Sequence, residues 1–135
     1  MQVYIATSYS KRKQMQDELN AVKEALKKQF LIPFIFVDNY NFKPDQSKEM
    51  MQAAFAEIDK SFLLIAEVSD KAIGIGVETG YAKAKNKLII YLRNANAEHS
   101  TTVAGISDHV LIYKDPTDLK IQLSRLLEKI TVAQS

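Results

Sequence analysis

Apolar residues recur along the chain in two alternating patterns, short continuous runs and longer stretches with helical spacing. The runs at residues 3–7, 32–37 and 62–68 are typical of strands. The third run is apolar at both odd and even positions, as expected for a strand that is buried on both faces. Residues 87–92 and 109–114 repeat the pattern. The sequence therefore predicts five strands.

Between these runs the apolar spacing changes to that of amphipathic helices. Over residues 11–29 apolar side chains recur at steps of four, three and four positions, which places them on one helical face. A second helix precedes the third strand, a third follows it through about residue 85, and the last spans residues 116–131. The apolar stripes are Met15, Leu19, Val22 and Leu26 in the first helix, Met51, Phe55, Ile58 and Phe62 in the second, and Leu119, Leu123, Leu126, Leu127 and Ile130 in the last.

Alternating strands and helices favour a parallel sheet, because each right-handed crossover uses a helix to return the chain to the start of the next strand. We predict an α/β fold, a three-layer sandwich around a five-stranded parallel sheet with the flavodoxin-like order 2-1-3-4-5. Residues 1–135 are expected to form a single domain, since no linker or internal repeat divides the sequence.

Composition excludes several classes of protein. Cysteine is absent, which excludes disulfides, thiolate catalysis and cysteine-based zinc sites. The net charge of +2 is small for a nucleic-acid binder, so we expect no nucleic-acid partner. No apolar run reaches the roughly 18 residues of a membrane span, and the amino terminus lacks the pattern of a secretory signal. We therefore expect a cytoplasmic protein with no membrane partner and, with only His99 and His109 as histidines, no metal site.

Two connections follow strands at the edge where open α/β sheets bind ligands. The first, "TSYSKRK", offers the hydroxyls of Thr7, Ser8 and Ser10 before a predicted helix flanked by Lys11 and Arg12. The amino end of a helix attracts anions, because its free N–H groups carry partial positive charge. The alternative is that Ser10 only caps the helix, and by residue type alone we favour this alternative.

The second connection, "SDKAIGIGVETG", combines Gly74 and Gly76 with an acid, Glu78. Glycines let a ligand approach the backbone, although Thr79 stands where a dinucleotide fingerprint would need a third glycine. We expect Glu78 in the first turn of the following helix, where the dipole keeps it ionised. Such a carboxylate can attack an electrophilic carbon, as in sugar transfer. The alternative, commoner on residue type alone, is that Glu78 only complements the dipole. The two consecutive methionines before the third strand, Met50 and Met51, are expected to fill gaps in the core.

The stretch "IAEVSDKAIGIGVETGYAKAKNKLIIYL" resembles the nucleoside 2-deoxyribosyltransferase superfamily, and within it most of all the 2-deoxynucleoside 5-phosphate N-hydrolase branch. The opening "VYIATSYS" resembles the first strand and phosphate loop of the family, and "HSTTVAGISDHVLIY" resembles its carboxyl-terminal motif. The resemblance covers about half of the chain. It implies a Rossmann-like transferase or hydrolase without a cofactor, acting at the N-glycosidic bond of a small-molecule nucleoside or nucleoside 5-monophosphate.

The resemblance also implies a role for each matching residue. Glu78 would be the nucleophile at the anomeric carbon, with Tyr4, the first-strand tyrosine, beside it. Ser100 would reach the phosphate bound by a neighbouring subunit, which implies a homodimer or a larger homo-oligomer. The other implied substrate-binding residues lie in the connections after strands one and three, and they are Thr7, Ser8, Ser10, Lys11, Gly74 and Gly76.

The sequence departs from the family pattern at two positions. The aspartate that assists protonation of the leaving base falls on Ala54, and an arginine of the phosphate loop is replaced by Ser10. Glu57 and Asp59 are near Ala54 in sequence but on other parts of the helix. An alternative function is therefore a non-catalytic nucleotide-binding or sensor domain on the same fold. A flavodoxin-like regulatory module is disfavoured, since the sequence has no flavin-type loop and no phosphoacceptor aspartate ending strand three.

Overall fold

The computed structural model describes residues 1–133, and its centre is a five-stranded sheet. The strand order is β2-β1-β3-β4-β5 with every neighbouring pair parallel, which confirms the predicted fold class and order. The strands are β1 (Gln2–Ala6), β2 (Ile32–Ile35), β3 (Ser61–Glu67), β4 (Leu88–Asn94) and β5 (His109–Tyr113). The helices are α1 (Gln16–Lys28), α2 (Phe36–Asn39), α3 (Ser47–Lys60), α4 (Ile73–Ala84), α5 (Thr101–Gly105) and α6 (Pro116–Ala133).

Helices cover both faces of the sheet. α1 and α6 pack on one face against side chains such as Ile5 and Ile65, whereas α3 and α4 pack on the other around Tyr4 and Ala66. β3 lies between β1 and β4, and it is therefore buried along nearly its whole length, as its apolar pattern predicts. Phe62, which the apolar stripe also assigned to the second helix, lies in β3. None of the helices within residues 1–133 has the length and apolarity of a membrane span.

The connection after β1 is longer than its sequence indicates. α1 begins at Gln16, and residues 10–15 form successive turns instead of helix. Met15 occupies the N-cap position, and no side chain caps the helix. The Ser10 hydroxyl lies 3.2 Å from that of Ser8 instead. The prediction that Ser10 caps α1, with Lys11 at its first turn, is therefore wrong.

A single helical turn, α2, follows β2 where the sequence predicted the end of a strand. The Asn39 side-chain amide donates a hydrogen bond to the Ile35 carbonyl (2.8 Å), and the Tyr40 N–H donates one to the Phe36 carbonyl (3.0 Å). These two bonds close the turn and end β2 at Ile35. The apolar run continues past the strand because Phe36 and Val37 are themselves partly buried, so hydrophobicity alone does not mark this boundary.

The glycine-containing connection is mostly helix. α4 begins at Ile73, so Gly74 and Gly76 lie inside it, and no glycine of the described residues has a positive φ. Glu78 lies in the second turn of α4, and its predicted position in the first turn is therefore wrong. Glycine is typical of turns, but here packing of residues such as Ile75 against the sheet outweighs its low helical propensity.

Two helices end in Schellman motifs with a residue in the left-handed conformation. Phe30 (φ 58°) follows α1, and Asn86 (φ 60°) follows α4. After α1, the Phe30 N–H donates to the Lys27 carbonyl and the Leu31 N–H donates to the Leu26 carbonyl, both at 3.0 Å. Asparagine tolerates this conformation, whereas phenylalanine incurs a steric cost there, and the Phe30 side chain is 91% exposed.

Replacing Phe30 by glycine is expected to raise the free energy of unfolding by about 1 kcal/mol, because glycine adopts a positive φ without steric cost. Little packing is lost, since the side chain is exposed. Urea denaturation followed by circular dichroism measures the change. Asn86→Ala is the matched opposite substitution and should destabilise the protein by a similar amount. A loss of stability in Phe30→Gly would contradict the prediction.

Candidate active site

A cleft of about 710 Å³ opens at the carboxyl ends of β1 and β2. Its volume lies within the range of small-molecule binding sites. Four parts of the chain surround it. Its lining includes Thr7 and Tyr9 from the loop after β1, Phe36, Tyr40 and Phe42 after β2, Met50, Met51 and Ala54 from α3, and Gly74 and Glu78 from α4.

A hydrogen bond between β1 and α4 organises the cleft. Tyr4 is fully buried, and strand alternation places it on the sheet face that α4 covers. Its hydroxyl donates a hydrogen bond to Oε2 of Glu78, whose side chain lines the cleft. The structure therefore brings together the two residues to which the resemblance gives catalytic roles.

The ionisation of Glu78 is controlled by its surroundings. Burial raises the pKa of Glu78 to about 7, while the hydrogen bond from Tyr4 acts in the opposite direction. The pKa of Tyr4 is also raised, by burial first and then by the negative charge of Glu78, so Tyr4 remains a donor at neutral pH. The helix dipole, expected to favour the ionised form of Glu78, is not the main influence on its pKa, because Glu78 lies beyond the first turn and burial dominates.

The loop after β1 directs only some of its hydroxyls toward the cleft. Thr7 and Tyr9 line the cleft, whereas Ser8 is buried and donates a hydrogen bond to Oδ2 of Asp70 (2.5 Å). Ser10 is bonded to Ser8 and does not line the cleft. Asp70 follows β3, so this bond joins the two connections at the carboxyl edge of the sheet.

The glycines of α4 face open space. Gly74 lines the cleft, and Gly76 lines a second hollow of about 320 Å³, which adjoins the cleft at Ala72 and Ile75. Apart from the adjoining backbone of α4 and the two chain neighbours, a Cβ atom built at either glycine has no atom within 4 Å, so no packing contact requires glycine there. Ser100 lines the second hollow and not the main cleft.

One side of the cleft was missed in the sequence. The rings of Phe36, Tyr40 and Phe42, here called the aromatic wall, line the cleft and lie within 12° to 22° of parallel to one another. The signal was the density of aromatic residues in "FIFVDNYNF", a stretch whose pattern indicated a strand end and a polar loop. Met50 and Met51, expected to fill the core, also line the cleft, because α3 begins at the cleft mouth.

Glu78 is the one carboxylic acid that lines the cleft in the described part of the chain. Ala54, where the family pattern has an aspartate, does line the cleft but brings only a methyl group. The other nearby acids are engaged elsewhere: Glu57 with Tyr40 (2.8 Å), Asp59 with Tyr81 (2.8 Å), and Glu67, on the opposite face of the sheet, with Tyr113 (2.6 Å).

The part of the cleft formed by the described residues is free of basic side chains. Of the cleft-lining side chains within residues 1–133, none is Lys, Arg or His, and Lys11 is exposed outside the cleft. Arg12 is paired with Asp38 through two hydrogen bonds (2.7 and 3.0 Å). His99 contacts the Tyr91 hydroxyl through Nδ1 (3.1 Å). The same described residues form no group of three or more acidic or histidine side chains that could hold a metal ion.

Comparisons with known proteins agree with this architecture. The family model described as nucleoside 2-deoxyribosyltransferase matches residues 3–126. None of the curated proteins matches the sequence. Among solved structures, the CMP N-glycosidase BcmB from Clostridium botulinum is similar over 93% of this chain and 99% of its own, with 20% identity and a TM-score of 0.70.

Two further structures share the fold. A conserved protein from Enterococcus faecalis is similar over 93% of this chain and 98% of its own, with 14% identity and a TM-score of 0.73. A 2-deoxyribosyltransferase from Bacillus psychrosaccharolyticus is similar over 89% and 90%, with 12% identity and a TM-score of 0.69. Since the family model spans nearly all of the sequence, the chain belongs to the nucleoside 2-deoxyribosyltransferase family.

Proposed function

We propose that the protein cleaves or transfers at the N-glycosidic bond of a nucleoside or nucleoside 5-monophosphate, with Glu78 as the nucleophile. The observation that carries this proposal is the Glu78 carboxyl, held in the cleft by the Tyr4 hydroxyl. Membership of the family supports the same bond as the target, since the family is named for deoxyribosyl transfer between nucleosides. A related structure is described as a CMP N-glycosidase, which supports hydrolysis as one form of the reaction.

The proposed reaction has two steps. The ionised Glu78 carboxylate attacks the anomeric carbon while the bond from carbon to the base nitrogen breaks, and the base leaves with that electron pair. With no second carboxylic acid among the cleft-lining side chains of residues 1–133, the leaving base takes its proton from water. Water or a second base then attacks the same carbon and gives its proton to the hydroxide left by the first step, while the bond from the carbon to Glu78 breaks and the carboxylate is released.

Tyr4 supports both the position and the charge of the nucleophile. Its hydrogen bond is stronger to the carboxylate than to the neutral acid, and it therefore lowers the pKa that burial raises. Near pH 7 a substantial fraction of Glu78 is then ionised and able to attack. The role of Tyr4 is to orient the carboxyl and to favour its reactive form.

The recognition of the 5-end of the sugar is proposed to involve Thr7 and the amino end of α4. Thr7 lines the cleft together with Gly74 of the first turn of α4, and free N–H groups in that turn favour an anion. The carboxylate of Asp70, held by the adjacent Ser8, opposes an anion. Because none of the cleft-lining side chains of residues 1–133 is basic, a 5-phosphate gains little over a free hydroxyl.

We further propose a cytoplasmic homodimer in which Ser100 contributes to a neighbouring site. Ser100 lines the second hollow beside the cleft, and its N–H donates a hydrogen bond to the Tyr91 hydroxyl (3.0 Å). This bond fixes the start of α5 close to the shared residues Ala72 and Ile75. The remaining candidate substrate contacts do not line the cleft, and a bound ligand would have to draw them toward it. They are Ser8, Ser10, Lys11 and Gly76.

A second candidate function is nucleotide binding without catalysis. It is favoured by Ala54, because a methyl group lines the cleft where the family pattern has an acid. The two candidates differ in turnover but not in binding. Saturable nucleoside binding without release of a free base would favour the second.

Replacing Glu78 by alanine is expected to lower the rate of base release at least about 1,000-fold, because the attacking carboxylate is lost. Incubation with a panel of nucleosides and 5-monophosphates, followed by chromatography of the free base, measures the rate. Equal base release by wild type and Glu78→Ala would refute the role of Glu78 as the nucleophile.

Tyr4→Phe should retain activity but move the acidic limb of the pH–rate profile upward by about one pH unit, since the hydrogen bond that lowers the Glu78 pKa is gone.

The raised pKa of Glu78 also predicts a pH-dependent stability. The folded state binds this proton more tightly than the unfolded chain, so the Glu78 contribution to the free energy of unfolding falls as pH rises from 4.5 to about 7. Glu78→Gln removes this dependence and should be more stable than wild type at pH 8, by a difference on the order of 3 kcal/mol at most, but not at pH 4.5. Urea denaturation at both pH values measures the difference. Glu128→Gln, on the exposed face of α6, is the control. Parallel pH profiles of wild type and Glu78→Gln would contradict the prediction.

A nucleoside is expected to bind at least as tightly as its 5-monophosphate, because no basic side chain from the described part of the chain lines the cleft. Isothermal titration calorimetry with deoxycytidine, deoxyadenosine and their 5-monophosphates at one fixed salt concentration compares the dissociation constants. Tighter binding of every monophosphate would show that the helix amino end, or a partner subunit, outweighs the Asp70 carboxylate.

A further inference from the structure

The aromatic wall has little regular secondary structure to support it. It begins in α2, a single turn without a buried residue, and continues into residues 40–46, which form neither helix nor strand. Its rings support one another: the Phe36 and Tyr40 centroids are 4.9 Å apart, and those of Tyr40 and Phe42 are 5.7 Å apart. Tyr40 also meets Phe34 of β2 edge-to-face, at 6.2 Å. Ring contacts of this kind orient side chains but do not fix the distance of a loop from the opposite side of a cleft.

A hydrogen bond outside the cleft attaches the wall to α3. The Tyr40 hydroxyl donates to Oε2 of Glu57 at 2.8 Å. Glu57 is 6% exposed and does not line the cleft. Gln2 and Lys60 contact the same carboxyl, at 3.4 Å each, and the Gln2 amide also donates to the Glu57 carbonyl (3.2 Å). The acceptor of the Tyr40 bond is therefore held in place by partners of its own on β1 and α3.

The position of the wall bears directly on substrate binding under the proposed function. The anomeric carbon must lie against the Glu78 carboxyl, so the attached base lies within a few Å of it, in the space between α4 and the facing side. Phe36, Tyr40 and Phe42 line the same cleft as Glu78. A flat base gains stacking energy only when a ring lies at van der Waals distance, so a small displacement of the wall loosens the substrate.

We infer that Glu57 is a positioning residue, which holds the Tyr40 hydroxyl and thereby sets the width of the cleft for one planar base. This inference rests on the proposed function and extends it to a residue that does not touch the substrate. Tyr40 contributes its ring to the cleft, and Glu57 contributes only the anchor. The pair acts on binding and not on the chemical step.

The environment of Glu57 agrees with an anchor and not with a proton donor. Burial opposes its ionisation, but hydrogen bonds from Tyr40 and Gln2 and the charge of Lys60 outweigh burial and lower the pKa of Glu57. Glu57 therefore stays ionised at neutral pH and has no proton to give to a leaving base. An ionised acceptor also strengthens the bond that it receives from Tyr40.

The test compares Tyr40→Phe with Tyr81→Phe. Tyr40→Phe keeps the ring and removes only the hydroxyl. Tyr81 supplies a matched control, because its hydroxyl also donates to a carboxylate on α3, Asp59, at the same 2.8 Å, and its ring stacks on Phe55 outside the cleft. Dissociation constants for deoxycytidine and deoxyadenosine are measured by calorimetry, kcat and KM by base release, and folding by circular dichroism.

Tyr40→Phe is expected to raise the dissociation constant and KM about tenfold with little change in kcat, whereas Tyr81→Phe leaves all three unchanged. Glu57→Gln, which retains an oxygen acceptor without the charge, should fall between wild type and Tyr40→Phe. Equal affinities of wild type and Tyr40→Phe would overturn the inference, and so would a fall in kcat at constant KM.

The measurements distinguish a wrong assignment of the glycosidic function from a wrong assignment of the role of Glu57. If wild type binds nucleosides but releases no base, the glycosidic function fails, and the comparison of dissociation constants still decides the role of Glu57. If base release is normal in Tyr40→Phe at every substrate concentration, the inference fails and the proposed function stands. If wild type binds none of the nucleosides, both fail.

Discussion

The contact between Tyr4 and Glu78 ties the centre of the sheet to the helix that carries the candidate nucleophile. Tyr4 belongs to β1, which is paired with a parallel strand on each side, so its hydroxyl has little freedom to move. The Glu78 carboxyl is thereby fixed beside the cleft. The burial that immobilises the pair also opposes ionisation of Glu78, and the hydrogen bond reverses part of that effect. The buried contact with Tyr4 therefore determines both the position and the acidity of the Glu78 carboxyl.

The opposite side of the cleft is held by side chains that lie outside it. Asp38 of α2 accepts two hydrogen bonds from Arg12 of the loop after β1, and Tyr40 donates one to Glu57 of α3. Both attachment points lie within residues 36–42, the segment that carries the aromatic wall. The cleft thus combines a rigid side built on strand pairing with a side whose location depends on a few polar contacts. Substitution of Asp38 or Glu57 is therefore expected to alter the shape of the site without changing any residue that lines it.

The sequence predicts the layers of this fold better than the borders of its elements. Central strands such as β3 are buried on both faces, so their apolar runs are unambiguous, and alternation with helices leaves few topologies. The pairing of Tyr4 with Glu78 follows from the family resemblance and is present in the structure. The predictions for Ser10 as a helix cap and for Gly74 in a turn were wrong, because serine and glycine suit both turns and helix ends and tertiary packing decides between them. The aromatic wall could not be predicted, because it depends on where the chain turns away from β2 and on a contact with distant Glu57.

The first turn of α4 is the least secured part of the helix that bears Glu78. Ala72 offers no capping side chain, Ile73 is 89% exposed, and Gly74 has no neighbour within reach of a Cβ atom. Backbone amides in such a turn exchange with solvent earlier than those deeper in the helix, because local opening there breaks few contacts. Below it, Thr79 is fully buried and bonded back to the Ile75 carbonyl (2.6 Å). The main chain of α4 can therefore adjust at the edge of the cleft while the Glu78 carboxyl keeps its position.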